Sequence, residues 1–289
     1  MWLITGANGQ LGQCMQRVLT QSNIPFVAYN SADLNITVEA QLEQVFSEVT
    51  PKVVVNAAAY TAVDKAESEL ELAKSVNTYA PGYLARLCGK YNAQLIHVST
   101  DYVFDGHANH AYHEQSPTAP QSVYGQTKLE GEYQVLENAE AIVIRTAWVF
   151  SEFGNNFVKT MARLAKEKDS LGVVADQVGC PTYAGDIALA ILKLAQRRQE
   201  GLAGPGIYHY CGDVAVSWWS FARFIHHALL LSGEIEQCPV LSMLTTAEYP
   251  TPAKRPGNSV LDCSRVISTG ISLSDWRSQV VQVLERLKG

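Results

Sequence analysis

Through the first half of the chain, short apolar runs alternate with longer segments of helical period. Leu3-Ile4 reads as a strand. Leu11, Cys14, Met15, Val18 and Leu19 then recur at the spacing of one helix face. Residues 26–29 read as a second strand. Thr37 is placed to cap a helix that carries Val38, Leu42, Val45, Phe46 and Val49 until Pro51 stops it. Residues 53–56, 95–98 and 141–144 read as the third to fifth strands, with intervening helices ending near Lys90 and starting near Ser122. These runs are continuous, not alternating, as in a parallel sheet covered on both faces. The series predicts right-handed crossovers and a Rossmann-like, doubly wound parallel α/β sheet.

After about residue 148 the rhythm loosens. Helical period returns at residues 157–164, 187–194 and 280–287, and residues 207–210 read as a strand. Residues 201–206 and 249–258 are irregular, and no internal repeat or low-complexity linker is visible. The expected organisation is a dinucleotide-binding domain over residues 1–147 and a smaller, partly interleaved C-terminal substrate lobe over 148–289. Segments near 180–214 are expected to return to the sheet. A ligand cleft belongs at the carboxyl ends of the strands.

Composition narrows the partners. The 289 residues are 47% hydrophobic and 17% charged, which excludes a disordered, collagen-like or coiled-coil chain. A net charge of −6 disfavours a general nucleic-acid binder or a polybasic membrane anchor, and no apolar run is long enough to span a bilayer. Cys14, Cys88, Cys180, Cys211, Cys238 and Cys263 form no C-x-x-C pair and read as buried thiols. With no basic start before the first strand, a cytoplasmic location is expected.

Thr5-Gly6-Ala7-Asn8-Gly9-Gln10-Leu11-Gly12 joins the first strand to the first helix. Gly6, Gly9 and Gly12 allow a tight turn and close backbone approach, and Gln10 and Leu11 begin a helix whose free N–H groups suit a pyrophosphate. At the end of the second strand Asn30 stands where a carboxylate would select NADH, and no Arg or Lys adjoins it to select NADPH. Asp33 and Leu34 are placed to meet the adenine, and Ala57, Ala58 and Ala59 are small enough to let a cofactor lie close.

Tyr124 and Lys128 are spaced to share one helix face, where a cation would lower the phenol's pKa for acid–base work. Thr100, at the end of the fourth strand, offers a hydroxyl to the carbonyl oxygen that Tyr124 would protonate. The glycine turn, Thr100 and the Tyr124/Lys128 pair occur in the order such a reductase needs.

These segments resemble the extended short-chain dehydrogenase/reductases and, among them, the dTDP-4-dehydrorhamnose reductase family. The resemblance runs through residues 54–67, Ser99-Thr100-Asp101-Tyr102-Val103-Phe104, Arg145-Thr146-Ala147-Trp148-Val149, Gly154-Asn155-Asn156-Phe157 and Arg255-Pro256-Gly257-Asn258-Ser259. It implies reduction of a sugar C4 ketone by NADPH or NADH, with Tyr124 as proton donor and a dTDP-sugar as small-molecule substrate. Lys128 would tune Tyr124 and hold the nicotinamide ribose. Asp101 and Trp148 would contact the sugar, and Asn156 and Arg255 the nucleotide diphosphate. Some family members carry a glutamate two positions after the last glycine, in a Mg²⁺ site at a dimer interface. Here that residue is Cys14, and the later carboxylate near Pro181-Thr182 is displaced to Asp186 or missing, so no metal is carried over. The chain is read as a monomer or homodimer.

His107, His110 and His113 read as a solvated loop, and His226-His227 as packing and surface. Trp218-Trp219 reads as a helix start whose indoles bury at the lobe interface. No G-x-S-x-G elbow supports a Ser-His-Asp hydrolase. Two alternatives remain. One is another nucleotide-sugar reductase or epimerase, the latter set apart by retaining its cofactor. The other is a non-catalytic subunit similar to the regulatory subunit of methionine adenosyltransferase.

Overall fold

The computed structural model describes residues 1–288. Its central sheet holds β1 (Trp2–Thr5), β2 (Phe26–Tyr29), β3 (Val53–Asn56), β4 (Gln94–Thr100), β5 (Ile142–Thr146) and β6 (Gly206–His209). All pairings are parallel, in the order β6-β5-β4-β3-β1-β2. The chain steps outward from β1 to β2 and then crosses back to β3, so the order reverses between β1 and β3. A crevice opens at the carboxyl ends at such a reversal.

The described residues form eight longer helices: α1 (Gln10–Gln21), α2 (Glu39–Val49), α3 (Ala80–Tyr91), α4 (Val123–Leu136), α5 (Phe157–Glu167), α6 (Ala184–Gln199), α7 (Trp218–Leu231) and α8 (Trp276–Arg286). Successive strand residues point to opposite faces, and both faces are packed. Ile4, Val55, Ile96 and Ile144 meet Met15 of α1 and Ile187 and Ile191 of α6. Leu3, Val54, Leu95 and Val143 meet Phe46 of α2 and Leu84 and Leu87 of α3. This double covering is why the strands read as unbroken apolar runs. A third core, of Val158, Phe221, Ile225, Trp276 and Val280, joins α5, α7 and α8 at the side of the sheet.

Several boundaries differ from the expectation. Thr37 does not cap α2. Its N–H and hydroxyl both donate to Asn35 Oδ1, and Val38 holds the cap position. β4 runs on to Thr100 and β5 to Thr146, which brings both ends to the cleft. Ser122 caps α4 by accepting from the Gly125 N–H at 3.2 Å. The pairing of Ser170–Val174 with Val240–Leu244, and two-residue pairings such as Val149–Phe150 with Thr182–Tyr183, left no periodic signal to read. Five cysteines are buried, but Cys238 is exposed. Cys211 and Cys263, far apart in sequence, bring their Sγ atoms to 3.5 Å. Among the described residues no helix is long and apolar enough to cross a membrane, and no group of His, Cys, Asp or Glu is arranged to hold a metal.

Candidate active site

A cavity of about 730 Å³ lies over the carboxyl ends of the strands. One side is the glycine turn. Gly6 has φ +74°, and a Cβ there would stand 2.8 Å from the Ala57 carbonyl oxygen. Only glycine allows both the left-handed backbone and that approach. Gly9 occupies the N-cap of α1 with no side-chain cap, so the first-turn N–H groups remain open to an anion. A Cβ on Gly12 would lie 2.1 Å from Gly6 O, so this glycine packs the helix against the turn and does not line the cavity. Gly6, Gly9, Gln10, Leu11, Asn30, Leu34 and Ala57 to Ala59 do line it. This bare, backbone-lined cradle fits a dinucleotide. Asp33 is exposed and off the wall, where its Oδ2 accepts from Asn30 Nδ2 at 2.5 Å.

The facing wall carries Thr100, Asp101, Tyr124, Lys128 and Trp148. Thr100 Oγ1 donates to Asp101 Oδ1 at 2.9 Å. Asp101 Oδ2 is buried without a partner, and burial pushes this carboxyl up to about 6, opposed by the nearby Ser259 and Thr100 hydroxyls. Tyr124 stands on the first turn of α4, its ring edge-on to Tyr102 at 5.5 Å. Gly125 lets that turn approach closely, because a Cβ there would meet Tyr102 O at 2.3 Å.

The electrostatics correct one expectation. Burial raises Tyr124 to about 12, opposed by a hydrogen bond with Thr100 and reinforced by the Asp101 charge; Lys128 makes no counterbalancing contribution. The ammonium does share the helix face, but its head turns to the sheet. Lys128 Nζ donates to Val98 O at 2.7 Å and lies 3.3 Å from His97 Nε2. Burial brings Lys128 down to about 8, against the pull of Glu132. At neutral pH Tyr124 therefore holds its proton, as a donor must.

Two expected ligand contacts are not on the cavity wall. Asn156 caps α5: its Oδ1 accepts from the Lys159 N–H at 3.1 Å, while Nδ2 donates to Ser151 O and Gln10 Oε1. Arg255 Nη2 donates to Asp64 Oδ2 at 2.9 Å, while its Nη1 is buried without a partner. Trp148 does line the cavity and stacks flat on Trp218, a pairing the sequence did not disclose. His97 was also missed. Its available signal was its place two residues before Ser99, on a strand whose neighbour ends in Asn56.

The position at which the resemblance would put a Mg²⁺ does not fit a cation. Beside Cys14, both Arg17 and Arg286 donate to Glu152 Oε1, and Tyr183 Oη donates to Glu152 Oε2 at 3.0 Å. Burial raises the Cys14 thiol to about 12, leaving it protonated. Asp186 instead accepts from Ser274 Oγ at 2.7 Å. Two guanidinium groups, a neutral thiol and one fully engaged carboxylate would repel a divalent ion.

Comparison with known proteins shows the family. A family model described as the RmlD substrate binding domain matches residues 1–288. A dTDP-4-dehydrorhamnose reductase of Aggregatibacter actinomycetemcomitans is 44% identical over 279 residues, 95% of each chain. The crystal structure of a dTDP-4-dehydrorhamnose reductase from Clostridium acetobutylicum superposes with a TM-score of 0.92 at 40% identity, covering 100% of this chain and 99% of that one. One from Bacillus anthracis, in complex with NADP, gives 0.90 at 34% identity, covering 99% and 98%.

Proposed function

The chain belongs to the RmlD substrate-binding-domain family, matching dTDP-4-dehydrorhamnose reductases along its length, and on that premise we propose the reaction it performs. It reduces the C4 ketone of dTDP-4-dehydro-6-deoxy-L-mannose to give dTDP-L-rhamnose, using NADPH or NADH. The observation that carries this reading is the cavity itself. Thr100, Asp101, Tyr124 and Lys128 line one side of the space that the glycine cradle bounds on the other.

A dinucleotide held by the Gly6–Gly9 turn and the first turn of α1 would supply the hydride to sugar C4. Tyr124 Oη gives its proton to the C4 oxygen as that oxygen becomes a hydroxyl, and a phenolate is left behind. Thr100 Oγ1, turning its one hydrogen from Asp101 Oδ1, donates to the same oxygen, a bond that strengthens as negative charge develops. Lys128, on the same helix face as Tyr124 one turn on and lining the cavity, would hold the nicotinamide ribose. Asp101, which lines the cavity and whose Oδ2 lacks a partner, accepts from a sugar hydroxyl, and Trp148 offers an apolar face to the ring. Arg255, held by Asp64 at 2.9 Å and off the cavity wall, would have to release that pair to reach the diphosphate. Asn156 serves indirectly by holding Gln10, which lines the cavity.

The test is oxidation of NADPH and NADH by the purified protein with the 4-keto sugar, with the product identified by NMR. Stoichiometric cofactor consumption and formation of the rhamnosyl nucleotide support the reading. A rearranged sugar with no net cofactor consumption would mean epimerisation, and no reaction with either cofactor would remove the substrate assignment.

A further inference from the structure

A file of buried polar side chains runs beneath the cavity to Lys128. The sheet register builds it, because Thr5 lies opposite Asn56 and Asn56 opposite His97 on three adjacent strands. Thr5 Oγ1 donates to Asn56 Oδ1 at 2.7 Å, and the Ala58 N–H donates to the same oxygen at 3.2 Å. Asn56 Nδ2 lies 3.0 Å from His97 Nδ1, and His97 Nε2 lies 3.3 Å from Lys128 Nζ. Thr5, Asn56 and His97 have no exposed surface, and Lys128 has 1%.

Counting hydrogens along this file fixes the imidazole. A backbone N–H cannot accept, so it identifies the Asn56 oxygen and leaves the amide NH₂ facing His97. An NH₂ only donates, so Nδ1 carries the lone pair and the single hydrogen of neutral His97 sits on Nε2. That Nε2–H points at Lys128. An ammonium has three hydrogens and no lone pair, so two donors would then face each other, whereas a neutral amine accepts. We infer that His97, held by Asn56 as the Nε2–H tautomer, is a positioning residue that stabilises the neutral amine of Lys128 over its ammonium.

The surroundings agree. Burial and the Lys128 charge hold His97 well below the usual histidine range, so it stays neutral. The titratable and charged groups around Lys128 are few. Glu132 on the same helix opposes its deprotonation, but that carboxylate is held by Arg145 of β5 and Ser99 of β4. Tyr124 on α4, and Asp101 just after β4, line the same cavity. No anion besides Glu132 pulls on the ammonium. In the proposed reaction, an amine stabilised in this way makes Lys128 a stronger acid, able to return a proton toward the phenolate after each turnover. That consequence rests on the reaction proposed above; the tautomer does not.

The test is NMR of the full-length protein labelled with ¹⁵N-histidine, with His97 assigned from the signal lost in His97→Gln. The expected result is a protonated Nε2 and an unprotonated Nδ1 between pH 6 and 9, about the range over which Lys128 titrates. A hydrogen on Nδ1 overturns the inference in the wild-type protein, whatever the variants do. ¹⁵Nζ-lysine spectra give a second reading. The Lys128 midpoint should rise by about one unit in His97→Asn, which is too short to reach Nζ, and stay near wild type in His97→Gln, whose amide still donates. An unmoved midpoint in His97→Asn overturns the inference. The alkaline limb of kcat/KM should follow the same order. Failure of the protein to turn over the sugar would count against the proposed reaction and leave both spectra decisive here.

Discussion

The indole of Trp148 lies flat on that of Trp218, with ring centroids 3.4 Å apart and planes within 5°. Trp148 also has a left-handed backbone, with φ +48°, which costs a bulky residue about 1–3 kcal/mol. The stack and Gly179 hold it there, since a Cβ on Gly179 would sit 2.5 Å from the indole. Trp218→Ala should therefore loosen the sugar wall without touching the cofactor cradle. The expected result is a KM for the nucleotide sugar raised about tenfold, about 1.4 kcal/mol, with NADPH affinity unchanged. The stacked pair's exciton signal in circular dichroism should disappear as well.

Glu132 and Arg145 form a buried ion pair beneath the catalytic helix, at 2.6 Å and with both partners almost fully covered. Glu132→Ala leaves a guanidinium stranded under Phe104, whose ring it faces at 5.1 Å. Loss of one partner of such a pair costs about 3–5 kcal/mol. Thermal unfolding should show Tm lowered by roughly 10 °C.

His209 makes stability sensitive to acid. Its Nδ1 faces two backbone carbonyls, Nε2 has no partner, and burial together with the Arg145 charge brings it down to about 3. The unfolded chain binds a proton here near pH 6.5 and the folded chain does not, so stability falls as pH drops from about 6.5 toward 3. The slope is about 1.4 kcal/mol per pH unit for this group. Asp101, raised to about 6, acts in the opposite sense below that pH, because there the folded state holds the extra proton. Denaturant titrations of His209→Gln between pH 4 and 6 should show a flatter dependence than wild type, by about the slope of one histidine.

Among the described residues, no arginine or lysine lies on the cavity wall near Asn30 and Ser31. NADPH and NADH should therefore support turnover with kcat/KM values within about tenfold of each other. Ser31→Arg, which offers a guanidinium fork to the ribose phosphate, should favour NADPH by a further factor of about ten.

The Arg17–Glu152–Arg286 group ties α1 to α8 without a metal. Turnover should be unchanged by EDTA or added Mg²⁺, and calorimetry should detect no Mg²⁺ binding. A loss of activity in EDTA restored by Mg²⁺ would contradict this.

The sheet was legible because every residue of β1 and β3 is buried on one face or the other, which writes an unbroken apolar run into the sequence. The glycine turn and the Tyr124/Lys128 spacing were legible because each is local. What the sequence hid is set by tertiary register. Lys128 could be placed on a helix face, but not turned toward Val98 and His97. Arg255 was read from its charge, but its Asp64 partner comes from another part of the fold. Asn156 was expected at the diphosphate only through the family resemblance, whereas its amide caps α5 and holds Gln10.

Deuteride transfer tests the central claim most directly. NADPH deuterated on the transferred position is supplied with dTDP-4-dehydro-6-deoxy-L-mannose to wild type and Tyr124→Phe. Deuterium should appear at sugar C4 with the wild type. Tyr124→Phe should bind NADPH equally well and turn over about 10²–10⁴-fold more slowly, the contribution of a placed general acid. A product without deuterium at C4, or a Phe variant within a few-fold of wild type, would contradict it.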